Sequence, residues 1–374
     1  MQPLQGIRVL DFSTLLPGPL ATLILAEAGA EVIKVERPDR GDEMRSYEPR
    51  FGTDSVNFAL LNRGKRSVAI DLKRPDAVDE LRPLLETSDV VVEQFRPGVM
   101  DRLGLGYEAL RTINPRVIYC AVTGYGQYGP RAHVAAHDLN YVAESGMLSL
   151  TSGSDGAPAL PSALVADIGG GTYPAVINIL LALRERDRTG VGCKLDIAMA
   201  DNLFTLMYWG LGNGLAAGLW PTAGGDLVTG GSPRYNIYRT RDERFLAAAP
   251  LEQKFWDNFC SLLDVPLEFR DDRRDPIATH DAVAQRVRAR TADELRALLS
   301  GHDVCCTIMA SLQDALADPH FAARGVFGRE LAAGTQTIAA LPVPVANEFR
   351  APDRRASYPE LGEANDLLAE RVQK

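Results

Sequence analysis

The sequence predicts an α/β protein: a doubly wound parallel sheet in a large domain, followed by a smaller α+β domain. Three observations carry this. Short apolar runs alternate with helical patterns between residues 6 and 122, the signature of βαβ units. A Gly- and Pro-rich stretch, 221–234, breaks the chain, as a domain boundary does. The length, 374 residues, exceeds what one typical core organises.

The elements follow in order. Residues 6–11 (GIRVLD) read as a buried strand, and the Pro-Gly-Pro turn at 17–19 leads into the helix ATLILAEAG. Then come the strand EVIKVE, the strand SVAIDL, a helix near 76–87, the strand DVVVEQF, a helix near 107–112 and the strand VIYCAV. Ligands of such sheets sit beyond the carboxyl ends of the strands. Residues 151–161 read as a loop, and ADIGGGTYPAVINILLALRER as an N-capped, buried helix. The boundaries this implies are a large domain over 1–220, a small domain over 231–325 with its own strand FLAAAP, and an extended segment over 326–374.

Composition narrows the function. Apolar residues make up 46% and charged residues 24%, as in ordinary globular proteins. A net charge of −9 argues against a nucleic-acid surface. The start lacks a basic segment followed by an apolar one, so no signal peptide is expected. No uninterrupted apolar run reaches ~18 residues, so neither a spanning helix nor a membrane partner is expected. Five scattered cysteines suit reduced thiols in a cytoplasm. There is no CxxC and no HExxH to support a metal site.

Five motifs carry candidate chemistry. GYGQYG at 124–129 matches a dinucleotide fingerprint after a strand, but Pro130 and Arg131 follow and no helix opens. It reads as a Gly-rich loop whose backbone N–H groups at Gly124, Tyr125 and Gly126 face a ligand, or as a plain turn. Arg37, the NRGKRS loop (Asn62, Arg63, Lys65, Arg66) and Arg96 sit near strand edges. Clustered cations of this kind suit a phosphate-bearing ligand, though each alone reads as a solvated charge. His137 precedes a helix with Asp138 in its first turn. The positive end of a helix favours the neutral, basic imidazole that general-base chemistry needs; the plainer reading is a cap. Asp167 precedes three glycines, either as an N-cap or as a carboxylate that a substrate approaches closely. Glu252 follows FLAAAP and reads as a surface carboxylate or as an orienting partner for a histidine.

Taken together, PLQGIRVLDFS, PGP, GAEVIKVERP, RGKRSVAIDLK, FRPGVMDRLGLG, NPRVIYCAVTGYGQYGP, HDLNY, ADIGGG, GGSPRYNIYRT and LEQKFW resemble, in this order, the α-methylacyl-CoA racemases within the family III CoA-transferases. The resemblance implies an interlocked homodimer with an active site between the large domain of one subunit and the small domain of the other. It implies no metal or organic cofactor, coenzyme A being part of the substrate. In the racemase branch, His137 and Asp167 flank the α-carbon of a 2-methylacyl-CoA, Glu252 partners His137, and Asp138 stands with them as a catalytic candidate. In the transferase branch Asp167 is a nucleophile that carries coenzyme A between carboxylic acids. The presence of His137, Asp167 and Glu252 together favours the racemase branch. Ala136, Gln253 and Ile308 depart from its pattern, standing for Gly, Pro and Pro.

Overall fold

The computed structural model describes residues 1–153 and 156–369. These divide into two compact units, 1–145 with 162–206 and 319–369, and 146–161 with 207–318. Residues 207–220, read from sequence as part of the large domain, thus fall in the second unit, and so do the described residues of the 151–161 loop.

The first unit is built on six parallel strands: β1 (Arg8–Asp11), β2 (Glu31–Glu36), β3 (Arg66–Ala69), β4 (Val90–Glu93), β5 (Ile118–Thr123) and β6 (Lys194–Ala198). Their spatial order is β3-β2-β1-β4-β5-β6. The order reverses between β1 and β4, which pair as Val9 with Val90. That reversal opens a crevice at the carboxyl edge, where doubly wound sheets take their ligands. Every residue of β4 and β5 is buried, as expected for central parallel strands covered on both faces. Leu10, Phe12, Ile33, Val91 and Tyr119 form one core with Leu81, Leu84 and Leu110 of the helices Ala77–Thr87 and Tyr107–Ile113. The helices Pro17–Glu27 and Tyr173–Thr189 pack together, and the latter packs on β5.

β6 was not legible in the sequence. Its residues Lys194, Leu195 and Asp196 keep an alternating, solvent-touched pattern, because an edge strand needs no continuous apolar run. The opposite edge, β3, is sealed by a segment far along the chain. Ala364 N–H donates to Ser67 O at 2.9 Å, and Ala69 N–H donates to Asn365 Oδ1 at 2.8 Å.

Two sequence expectations change. The Pro-Gly-Pro turn is the first turn of its helix, which begins at Pro17, since proline's fixed φ suits that position. The helix expected from ADIGGG onward does begin there, but its glycine run forms a π-helical turn, Ala166–Thr172, continuous with Tyr173–Thr189. The fused helix, Ala166–Thr189, becomes long and apolar enough to cross a membrane by length and composition, although half of its most apolar window is buried in the protein. A core helix has the same character.

The second unit has a three-stranded antiparallel sheet, Asn236–Arg239, Phe245–Ala248 and Cys306–Ile308, with Phe245–Ala248 in the middle. It packs with the helices Gln253–Leu262, Pro276–Arg288 and Ala292–Leu299 around fully buried Trp256.

Candidate active site

A cavity of about 390 Å³ lies at the carboxyl edge of the large sheet. It is lined by Leu15 and Pro17 beyond β1, Gln94 to Pro97 beyond β4, Thr123 to Tyr125 at the end of β5, and Met199 beyond β6. His137, Asn140, Tyr141 and Asp167 complete it. The cavity therefore occupies the switch point predicted by the strand order.

A dinucleotide fold would seat a pyrophosphate on the first helix of this crevice. That helix is unsuited to it. Pro17 and Pro19 have no N–H to offer. The intervening Gly18 N–H is already donated to Gln94 Oε1 at 3.1 Å. GYGQYG is followed by bends and turns rather than a helix until Asp138, as its flanking residues predict. Gly124 and Tyr125 line the cavity, whereas Gly126 does not. Gly124 is needed for packing: a Cβ there would lie 2.4 Å from the Tyr141 ring.

His137 occupies the N-cap position of the helix Asp138–Glu144. Asn140 Oδ1 accepts from His137 N–H at 3.0 Å, and Tyr141 Oη donates to Ala136 O at 2.8 Å. These bonds fix the backbone on both sides of an exposed imidazole. Asp138 is buried beneath it and reaches another element. Its Oδ1 accepts from Ala166 N–H at 2.6 Å and from Asp167 N–H at 3.0 Å. Asp138 thus caps the π-helical turn that carries Asp167, and Asp167 itself caps nothing. Gly170 and Gly171 are required by packing. A Cβ on Gly170 would lie 2.2 Å from Met199 O, and one on Gly171 2.9 Å from Met199 Cγ.

The Asp167 carboxyl is raised from 3.8 to about 6. Burial is the largest cause and the Asp138 charge adds to it, while His137 acts the other way. A carboxyl poised near neutrality can both take and give a proton. Asp138→Ala would leave a buried and a part-buried N–H group unpaired and is expected to destabilise the protein by about 1–3 kcal/mol, read as a lower denaturant midpoint. Asp138→Asn, which keeps an acceptor, should largely preserve that midpoint while bringing Asp167 down toward its usual acidity.

The expected phosphate cradle is mostly absent. Asn62, Arg63 and Lys65 are buried and committed to protein partners. Lys65 Nζ stands 2.7–3.1 Å from Asp11 Oδ2, Pro19 O, Thr22 Oγ1 and Asn62 Oδ1. Burial lowers its ammonium to about 8 despite the Asp11 charge. Arg63 pairs with Glu27 at 2.9 Å. Arg66 begins β3 and pairs with Glu31 at 3.3 Å, at the amino edge of a parallel sheet and so at the wrong end. Arg37 is exposed, with Nε donating to Gly41 O at 3.2 Å. Of the six predicted phosphate ligands only Arg96 lines the cavity.

Glu252 belongs to the second unit, exposed at the N-cap of Gln253–Leu262, and does not line this cavity. The apolar stretch 203–220, expected to read an acyl group, does not line it either, and Tyr208, Leu215 and Trp220 remain largely exposed. Sequence reasoning missed Leu15, Gln94, Thr123 and Met199. Leu15 has φ +61, a strained setting for a branched side chain, and its N–H donates to the buried Asp42 carboxylate at 3.2 Å. Thr123 Oγ1 is buried without a hydrogen-bond partner. The only sequence signal for either was its place just after a predicted strand.

The chain belongs to CoA-transferase family III, whose model matches residues 4–365. It is 34% identical to the mouse (Mus musculus) α-methylacyl-CoA racemase over 96% of this chain and 91% of that protein. It is also 38% identical to the mouse succinyl-CoA:glutarate CoA-transferase, over 73% of this chain and 62% of that protein. Among solved structures it resembles a CAIB/BAIF family protein from Brucella suis, with a TM-score of 0.82 and 29% identity over 98% of both chains.

Proposed function

We propose that the protein is a cofactor-free acyl-CoA racemase. It acts at the α-carbon of a 2-methyl-branched acyl-CoA by 1,1-proton transfer between Asp167 and His137. The observation that carries this is the meeting of the two groups in one cavity, from separate helices, with the carboxyl held at about 6. One group removes the α-proton, the thioester becomes an enolate, and the other returns a proton to the opposite face. The Thr123 hydroxyl and the backbone at Gly124–Tyr125 are the groups at hand for the enolate oxygen. Arg96, which lines the cavity, would meet the coenzyme A phosphates.

The same reading makes the working form a homodimer in which Glu252 of a second copy orients His137. An exposed apolar row on the first unit, Tyr173, Ile177, Leu180 and Leu181, supports assembly, since these residues recur on one face of a helix.

The second reading is CoA transfer between carboxylic acids, with Asp167 forming a mixed anhydride and then an aspartyl-CoA thioester. The identity to the mouse transferase favours it. One experiment separates the two. The protein is incubated with a chiral 2-methylacyl-CoA in deuterated water. Racemase activity deposits deuterium at the α-carbon as the chirality is lost. A retained α-proton, with hydroxylamine trapping an acyl-enzyme when an acceptor acid is added, would establish the transferase instead.

A further inference from the structure

A second cavity, of about 700 Å³, is bounded by Arg324, Arg329, Arg350 and Arg354, with Glu348 as the one acid on its wall. At its back lies a half-buried cluster that shares Arg329 and Arg350 with the wall. The Glu27 carboxylate faces three guanidiniums: Arg63 at 2.9 Å, Arg350 at 3.6 Å and Arg329 at 3.9 Å. Three cations against one carboxylate leave a formal excess of two charges. Glu27 ends the helix Pro17–Glu27, and that helix terminus offsets only about half a charge.

The remaining donors are unevenly used. Arg63 donates to Leu60 O and Leu341 O, Arg329 to Asp353 O and Ala351 O, and Arg350 Nη2 to Val343 O. Arg350 Nε, on a side chain only 9% exposed, is the atom that faces Glu27 at 3.6 Å, too far for a hydrogen bond, and it has no other partner. Arg324 and Arg354 have no ion-pair partner among the described residues. Burial, with repulsion between neighbouring cations, weakens protonation of Arg63 and Arg350. In a chain of net charge −9, such a concentration of unneutralised arginine lacks an anion.

We propose that this cavity binds a phosphate-class oxyanion, separately from the thioester pocket. Planar guanidiniums grip tetrahedral oxyanions through paired N–H donors. The separation follows from the helix between the two sites. Pro17 lines the first cavity and Glu27 stands behind the second, at opposite ends of one 11-residue helix, or roughly 15 Å apart. The ligand is either free phosphate or the phosphate of a larger metabolite.

The test is calorimetric titration of the full chain in chloride-free buffer, with inorganic phosphate in one arm and glycerol 3-phosphate in the other. The proposal expects saturable binding of at least one probe, with Kd below about 1 mM. Phosphate alone would identify the free ion, and binding of the ester would identify a phosphorylated ligand. The double variant Arg324→Ser, Arg354→Ser changes two exposed residues and keeps the half-buried cluster. It should lose at least tenfold in affinity while its affinity for an acyl-CoA is unchanged. No saturable binding of either probe, or equal affinities in wild type and variant, would overturn the proposal.

Discussion

Asp167→Asn is expected to lower turnover by about 10²–10⁴-fold and at the same time to raise stability above pH 6. The gain in stability follows from the raised carboxyl. A group that binds its proton more tightly in the folded state favours folding at low pH, below its unfolded value of 3.8, and that advantage is lost as pH rises through about 6. At pH 8 the ionised Asp167 is held against burial and the Asp138 charge. Asparagine removes that charge. A rise from 3.8 to about 6 sets an upper bound of roughly 3 kcal/mol on the gain. The difference in melting temperature between variant and wild type should therefore be positive at pH 8 and shrink toward pH 4. Activity of the wild type should fall on the acid side as Asp167 takes up its proton near pH 6. A variant that keeps its activity, or melts lower than wild type at pH 8, would remove Asp167 from the role argued here.

Gly170→Ala is expected to be the most damaging of the small substitutions near the site. Its new methyl would meet the Met199 carbonyl at 2.2 Å. That oxygen belongs to the backbone just beyond β6 and cannot rotate away as a side chain can. Either the π-helical turn lifts off or the strand end shifts, and both carry cavity-lining groups, Asp167 and Met199. A loss of roughly 3 kcal/mol is expected, seen as a lower denaturant midpoint and a fall in kcat. Gly169→Ala is the control. Its nearest neighbour would be Leu206 Cδ1 at 3.4 Å, an ordinary contact with a flexible side chain, so its midpoint should stay close to wild type. Equal damage from both would mean that helix propensity, not the Met199 contact, explains the glycines.

The sheet was legible because buried parallel strands are written as continuous apolar runs, as in VVVE and IYCAVT. Lys194–Ala198 escaped because an edge strand is free to alternate. The same contrast governs the site. His137 and Asp167 announced themselves as titratable groups beside helix starts. What joins them, the Asp138 carboxylate spanning two helices, depends on a contact between residues far apart in the chain, which local patterning does not encode. The basic loop misled for a related reason. Clustered Asn62, Arg63 and Lys65 look solvated in sequence, yet Asp11 and Glu27 lie in wait for them inside the fold.

The sealing of β3 by Ala364 and Asn365 has a consequence for how the protein is made. Ala69 and Asn365 stand 296 positions apart. A ribosome adding about 5–20 residues per second takes on the order of tens of seconds to cover that distance. Throughout that interval the nascent sheet presents a bare strand edge, a template for pairing with another chain. Holding partners on the emerging polypeptide, or a slower maturation after release, would then govern the yield of usable protein as much as its final stability does.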